Sequence, residues 1–467
     1  MKIKRNVDLT QGSLFKAILS LAIPVVITSF LQTMYNLTDT FWLGRLGTEE
    51  LAGINLVSPV QNIVQNFGSG LTVAGAVLIS QYMGAKKYKE AKAMANQIFT
   101  CAMIFAFTVA ITVSALAGGI VAWLGADGIT ANIATIYLRL VILDMPFLFT
   151  VNMFQSINQA QGDTVTPMLL NFVGICINMV MDPLLMVVLG WGAAGAALAT
   201  VFAKAVPAII AFIGLNKHSK EVYLELSKLK FEKEKLMKIL VIGLPTAIGG
   251  STMQLGFLLM SKSVYVYGTT AMAAYGIGNK VNGLISLPSN GIGSAVSTIV
   301  GQNVGAKDLK RAERGYKISM RMAVCFLLVG GMILSRPPIA TAIVKIFTSD
   351  EVVIPMAAEF FSIMAFWVFT NGVYNSTMGL FQGSGHTEVT MLVDASRLWV
   401  FRFATLFVCQ NILNMGVRSI WYSVVVSNGI SAVLLFIVYL TGLWKIPRMS
   451  SKESRKKKMA ELVNEDE

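Results

Sequence analysis

Two aspartates set in apolar sequence carry most of the chemistry open to this chain. Asp39 lies in Tyr35-Asn36-Leu37-Thr38-Asp39-Thr40, and Asp182 in Asn178-Met179-Val180-Met181-Asp182-Pro183. A charge in a membrane helix costs roughly 2.5 kcal/mol or more near the bilayer centre, so such an acid is a functional candidate by default. Asn178 and Asp182 are four residues apart and share a helical face. Pro183 brings no amide hydrogen to the backbone ladder, which leaves carbonyl oxygens free to receive an ion. Two carboxylates converging in a low-dielectric cavity cannot both stay charged without compensation, so one binds a proton or the pair binds a cation. Carboxylate, amide and hydroxyl oxygens are hard ligands suited to sodium, whereas a shared proton needs only the acids. The residue types admit both ions. The competing role for each Asp is structural: a helix cap, or an ion pair with a lysine such as Lys204.

The elements that must position these acids are membrane helices. Of the 467 residues, 55% are hydrophobic and only 13% charged, and the mean hydropathy is +0.64, a balance foreign to a water-soluble domain of this size. Apolar runs fall at 14–44, 51–83, 93–123, 131–156, 165–190, 193–214, 236–266, 271–304, 318–346, 352–382, 387–411 and 417–445. Each exceeds the roughly 20 residues that a bilayer requires. The expected fold is therefore an all-α membrane protein with twelve transmembrane helices.

Those helices come as two copies of one unit. Gln81-Tyr82-Met83-Gly84-Ala85-Lys86 returns as Gln302-Asn303-Val304-Gly305-Ala306-Lys307, and at the same offset of 221 residues Pro24 meets Pro245, Gly47-Thr48 meets Gly268-Thr269, Gly70 meets Gly291 and Gln161-Gly162 meets Gln382-Gly383. A tandem duplication of six helices predicts two pseudo-symmetric bundles: an N-lobe over 1–214, a linker over 215–235, a C-lobe over 236–445 and a basic tail over 446–467. Asp39 matches Met260 in the second copy. A duplicated scaffold that keeps acids in one half is what a membrane transporter with a single ion site would look like.

The net charge of +13 raises the question of nucleic acid, but the distribution answers it. Most basic residues cluster at Lys2 to Lys16, Lys86 to Lys92, Lys217 to Lys238, Lys307 to Arg321 and Lys445 to Lys458, segments that share one side if the spans alternate. The positive-inside rule makes that side cytoplasmic, with both termini and the linker. The linker, with Leu224, Leu226, Leu229 and Leu236 among its charges, reads as a short amphipathic surface helix, and the tail as solvated chain able to touch anionic lipid. Residues 14–34 lack a cleavage site and read as the first membrane helix rather than a signal peptide.

Enzyme chemistry finds little support. No Gly-x-x-x-x-Gly-Lys-Ser/Thr phosphate loop is present. His218 and His386 have no metal or triad partners in the pattern and read as surface residues. Cys101, Cys176, Cys325 and Cys409 stand singly in apolar spans and read as small core hydrophobes. No cofactor is expected beyond a coupling ion, proton or sodium.

The order Pro24 to Asp39, Asn178 to Asp182, Thr200 on helix 6, and the paired Gln-Gly turns closely resembles the multidrug and toxic compound extrusion (MATE) antiporters over nearly the whole chain, most strongly the DinF-like branch. The resemblance implies the MATE fold and a cation site in the N-lobe formed by Asp39, Asn178, Asp182 and Thr200, which are also the metal ligands if sodium is the ion. It implies too that helix 1 bends at Pro24 on protonation. The NorM-like branch places acids on helices 7 and 10, where this chain has Gln254 to Met260 and Asn371 to Asn375. In the second lobe Lys280, Asp394, Arg397 and Arg402 read as an internal ion-pair network or snorkelling groups.

On this reading the chain is a multi-pass protein of the plasma membrane, functional as a monomer. It exports amphipathic, often cationic organic compounds in exchange for protons or sodium by alternating access. Gln32, Tyr35, Asn36, Asn152 and Gln155 are the candidate substrate contacts, with Met and Phe supplying an adaptable apolar wall. The alternative is a lipid-linked oligosaccharide flippase of the same superfamily, for which Arg397, Arg402 and Lys262 would serve as basic cavity residues. A passive channel would need a continuous polar stripe through several helices, and isolated polar clusters stand there instead.

Overall fold

The computed structural model describes residues 9–216, 221–225 and 231–446. Lys2, Lys4, Arg5, His218, Leu226, Leu229 and the tail beyond Ile446 lie outside them. The described chain is helical throughout its spans: α1 (Leu14–Leu43), α2 (Thr48–Gly84), α3 (Tyr88–Trp123), α4 (Gly128–Val141) running through a 3-10 turn into α5 (Met145–Ala160), α6 (Val165–Pro183), α7 (Gly192–Asn216) and α8 (Lys233–Tyr265). The second copy opens with α8 and continues with α9 (Thr269–Gly305), α10 (Leu309–Leu334), α11 (Pro337–Lys345), α12 (Val353–Trp367), α13 (Phe369–Ser384), α14 (Thr387–Ala395), α15 (Phe403–Asn411) and α16 (Arg418–Leu440). Joining α4 with α5, α12 with α13 across their bend, and α14 with α15 through the π-helical segment Ser396–Arg402 leaves thirteen rods among the described residues, one more than the twelve expected runs because 318–346 holds both α10 and α11.

Local chemistry sets the ends. Helix α2 begins after Gly47 with Glu49 and Glu50 in its first turn, acids that complement the positive end of the helix dipole. Asp308 caps α10 by accepting a hydrogen bond from the Arg311 amide at 2.9 Å, the usual work of an N-cap acid. The duplication survives in backbone detail. Lys86 and Lys307, equivalent at the 221-residue offset, both take the left-handed conformation (φ 57° and 62°) just past α2 and α9, a conformation unusual for a residue with a β-carbon.

Nine helices among the described residues are long and apolar enough to cross a membrane, ten if α12 and α13, bent by 53°, count as one span. The remaining rods are more polar: α9 holds Lys280, α14 holds Glu388 and Asp394, and the π-helical segment Ser396–Arg402 that joins α14 to α15 holds Arg397 and Arg402. Large apolar side chains such as Ile111, Val188, Leu258 and Phe407 stand exposed on the outer faces, where lipid solvates them. The chain is thus a multi-pass membrane protein.

The structure revises several local expectations. The apolar run 318–346 is two helices, because Pro337 and Pro338 stop α10 and open α11, proline being tolerated in a first helical turn but not in a helix interior. Residues 221–225 of the linker are not helical. They form a strap with Val222 and Leu224 buried. Gln161 donates to the Val222 carbonyl at 3.3 Å and accepts from its amide at 3.2 Å, Asn96 treats Glu225 likewise, and Gln97 does so with Glu232. Carboxamides satisfy these backbone groups as a neighbouring strand would, so helix formation has nothing left to gain. His386 is buried, 3% exposed, with Nδ1 3.1 Å from the Ser384 hydroxyl. Of the cysteines only Cys409 is buried, while Cys101 is half-buried and Cys176 and Cys325 are exposed, so not all of them are core residues.

The described chain divides into two compact units, one spanning Ile27–Ala247, the other residues 9–26 and 248–446. Neither boundary falls at the linker. Each cuts a helix in half, α1 after Val26 and α8 after Ala247. Glycines explain how the exchanged halves seat. In the first unit a β-carbon on Gly70 of α2 would stand 2.3 Å from the Gly243 carbonyl oxygen of α8. In the second, one on the equivalent Gly291 of α9 would stand 3.0 Å from the Ala22 carbonyl oxygen of α1. Ala22 and Gly243 are themselves 221 residues apart, so one close helix crossing is built twice.

Candidate functional site

A cavity of about 740 Å³ opens inside the first unit, lined by α1, α2, α4, α5, α6 and α7. The second half of α1 brings Gln32, Tyr35, Asn36 and Asp39 to its wall, α5 brings Asn152 and Gln155, and α7 brings Thr200 and Lys204. Helix α6 can lie close enough to α7 because a β-carbon on Gly174 would meet the Ala203 carbonyl oxygen at 2.8 Å. Hydrogen is what this crossing leaves room for. One turn beyond Gly174, α6 carries Asn178 and, one turn further, Asp182.

Asn178 and Asp182 are both wholly buried. As their spacing requires, they meet on one face, and Asn178 Nδ2 donates to Asp182 Oδ1 at 3.0 Å. That bond leaves Asn178 Oδ1 and Asp182 Oδ2 without a hydrogen-bond partner. Thr200 donates its hydroxyl hydrogen to the Ala196 carbonyl at 3.1 Å, so only its lone pairs remain to face a ligand. Asp39 reaches the cavity wall from α1, whereas Asn178 and Asp182 lie behind it and are not part of the wall. Asn178 Oδ1 and Asp182 Oδ2 are thus two buried acceptors that no donor among the described residues meets, and a cation is the group that would complete them. Pro183 behind Asp182 is followed by a π-helical turn, Leu184–Val188, a rare local geometry that recurs beside functional sites. Among the described residues no three His, Cys, Asp or Glu side chains gather as a metal site, so any ion here would rest on amide and hydroxyl oxygens as well as carboxylates.

Lys204 is spoken for. Its ammonium pairs with Asp144, in the turn between α4 and α5, rather than with Asp182, and its charge also reaches Asp39. Asp144 is fully buried and the Lys204 side chain 22% exposed. Pro24 sits in an α1 that is helical from end to end, in the half belonging to the second unit.

In the second unit Tyr374 donates its hydroxyl to Asp394, Arg397 lies 3.3 Å from the same carboxylate, and its guanidinium stacks 4.5 Å over the Tyr374 ring. Arg402, 4% exposed, donates to Ser427 and Asn428, each at 3.1 Å. Arg397 and Arg402 are therefore tied into internal networks, and Lys262 is exposed on α8. Met260, at the position equivalent to Asp39, is buried.

Two features of the cavity were not anticipated. Helix α2 contributes Asn55, Ser58, Gln61, Asn62 and Gln65, a polar stripe at helical spacing that was legible as a departure from an otherwise apolar span. Also, no methionine, phenylalanine or tryptophan lines the wall. Phe99, Met103 and Phe107 instead line a separate groove of about 400 Å³ along α3. The Met and Phe foreseen for the apolar part of the wall are not there; aliphatic side chains such as Leu43, Ile54, Leu148, Val151 and Ile175 take that part, beside carboxamides and hydroxyls.

Fold and cavity together define the class: a duplicated, multi-pass helical membrane transporter. The family described as MatE matches residues 24–184 and 245–408, two stretches that open on Pro24 and Pro245, the residues paired by the internal offset. The chain belongs to the MatE family. It is 22% identical over 441 residues to the multidrug export protein MepA of Staphylococcus haemolyticus, covering 94% of this chain and 96% of that protein. It is 23% identical to the probable multidrug resistance protein NorM of Thermotoga maritima, covering 94% and 95%. Among solved structures, the outward-facing conformation of a multidrug resistance MATE family transporter of the MOP superfamily superposes with a TM-score of 0.89 at 23% identity, over 99% of this chain and 100% of that one. That likeness establishes the fold.

Proposed function

We propose that this chain is a cation-coupled antiporter that exports small organic compounds from the cell by alternating access, acting as a single chain in the plasma membrane. Proton or sodium entry at Asp39 and Asp182, with Asn178 and Thr200 as further oxygen donors, drives the exchange. The observation that carries this reading is the pair of partnerless, fully buried oxygens, Asn178 Oδ1 and Asp182 Oδ2, behind a cavity that exposes Asp39. A site of acceptors alone has a different affinity for a cation when its cavity is open to either side. Coupling requires no more than such a difference, and ion and cargo need not touch.

The names of the relatives support the export direction, and the capture of one in an outward-facing state supports alternating access. Basic loops on one side support cytoplasmic termini. The lack of acids at Gln254 to Met260 and Asn371 to Asn375, where the NorM-like branch carries them, supports the DinF-like branch. Pro24 is the candidate hinge, since a proline removes one rung of the α1 ladder two residues before α1 passes from one unit to the other. Gln32, Tyr35, Asn36, Asn152 and Gln155 are the proposed cargo contacts, and amphipathic cations are within the proposed range.

The test is efflux of ethidium from proteoliposomes under an imposed sodium or pH gradient. Wild type is expected to export the dye with one of the two gradients, naming the ion, and Asp39→Asn and Asp182→Asn to lose gradient-driven export while still folding and inserting. Export that ignores both gradients, or survives both substitutions, removes the acids from the coupling role.

A further inference from the structure

The cavity wall is richer in carboxamides than a pocket for a flat apolar cargo needs, its apolar part being Leu43, Ile54, Leu148, Val151, Ile175 and Pro207. Sites for drug-like ligands are predominantly hydrophobic and aromatic, with a few placed polar groups. Here Asn55, Gln61, Asn62 and Gln65 of α2 face Asn152 and Gln155 of α5 across the wall. None of these six side chains is hydrogen-bonded to another described residue, so they are not interhelical fasteners, and they are left for whatever fills the cavity. A carboxamide offers donors and an acceptor side by side. An apolar cation would strip water from all six and give nothing back, the costly case for a polar group. Formal charge in the wall is sparse too: Asp39, and a Lys204 already paired with Asp144.

We infer that the cavity of the first unit selects an uncharged, polyhydroxylated cargo, a glycoside. The inference rests on the export reading above for the sense of transport, and adds the class of compound. Neighbouring hydroxyls on a sugar ring each donate and accept, matching a field of carboxamides, while Tyr35 and Tyr137 supply flat faces for an aglycone. The volume of about 740 Å³ falls within the range of pockets that hold drug-sized ligands.

Binding separates this inference from the transport reading. The purified protein in nanodiscs is titrated with the glucoside and galactoside of 4-methylumbelliferone, the bare aglycone, a 2-deoxyglucoside and ethidium, with no ion gradient present. The expected result is that at least one glycoside binds about tenfold or more tighter than the aglycone and than ethidium, and that removing the 2-hydroxyl weakens it several-fold. Gln61→Leu combined with Asn62→Leu, which keeps roughly the side-chain volume, is expected to weaken the glycoside by about tenfold per carboxamide and to spare or strengthen ethidium. Because the deoxy comparison uses unaltered protein, a variant that fails to fold does not rescue the idea. If neither glycoside binds better than the aglycone, or if ethidium binds tightest, the inference is overturned while export stands. If glycosides bind but no gradient drives any of the compounds, the export reading falls and the binding preference stands.

Discussion

Removing Lys204 should damage this protein more than removing the acid it pairs with. Asp144 is fully buried and its Oδ1 already has no partner, whereas 22% of the Lys204 side chain is exposed in the wall of the cavity. Lys204→Met leaves a carboxylate in a dry site with nothing to neutralise it, and breaking a buried pair in this way costs about 3–5 kcal/mol. Asp144→Asn leaves an ammonium that can turn toward water and toward the charge of Asp39, so the loss is closer to that of one charged hydrogen bond, about 1.5–3 kcal/mol. The double variant carries neither charge and should recover to within about 1.5 kcal/mol of the starting protein, since neutral replacement of a buried pair is often tolerated. Unfolding by sodium dodecyl sulfate titration, followed by tryptophan fluorescence, measures all four proteins and gives the coupling energy directly. Equal losses from the two single variants, or Asp144→Asn as the worse of them, would refute the reasoning, because the asymmetry follows from the difference in burial alone.

Two further outcomes follow from packing. Gly174→Leu must push α6 from α7, because its first carbon would overlap the Ala203 carbonyl oxygen; a loss of roughly 1–3 kcal/mol or more is expected, together with loss of coupled efflux. Gly119→Leu, with nothing within 4 Å of the added carbon, should change neither, and comparable melting of the two variants would contradict the account. Gln161→Leu unfastens the strap at Val222 and should speed limited proteolysis within the linker several-fold, while Gln382→Leu at the equivalent position should not; identical digestion rates would mean that the carboxamide does not hold the strap.

The spans and the duplication were legible because both are written in local pattern: apolar length, and matched Gly, Pro and Lys positions. The meeting of Asn178 and Asp182 was legible for the same reason, since a spacing of four fixes a shared face. Other features depend on what lies across the fold. Lys204 is four residues from Thr200 on α7, yet its partner, Asp144, comes from a turn 60 residues away, and no spacing rule chooses between Asp144 and Asp182. The stripe Asn55, Ser58, Asn62 and Gln65 was visible as periodicity, but its meaning depends on α5 and α1 standing opposite with a void between them. His386 reads as a helix-edge residue until Ser384 and its neighbours close over it. The linker looked helical from its alternating charges because propensity is weak beside three carboxamides that bind the backbone in an extended form.

The first halves of α1 and α8 are traded between the units, each seated against a glycine of the other repeat. A protein made of one repeat alone would begin its first helix in empty lipid, with Gly70 or Gly291 facing no backbone. Such a half-length ancestor could complete its fold only by borrowing that half-helix from a second copy, so the gene fusion that produced this chain would have tied together partners already interlocked.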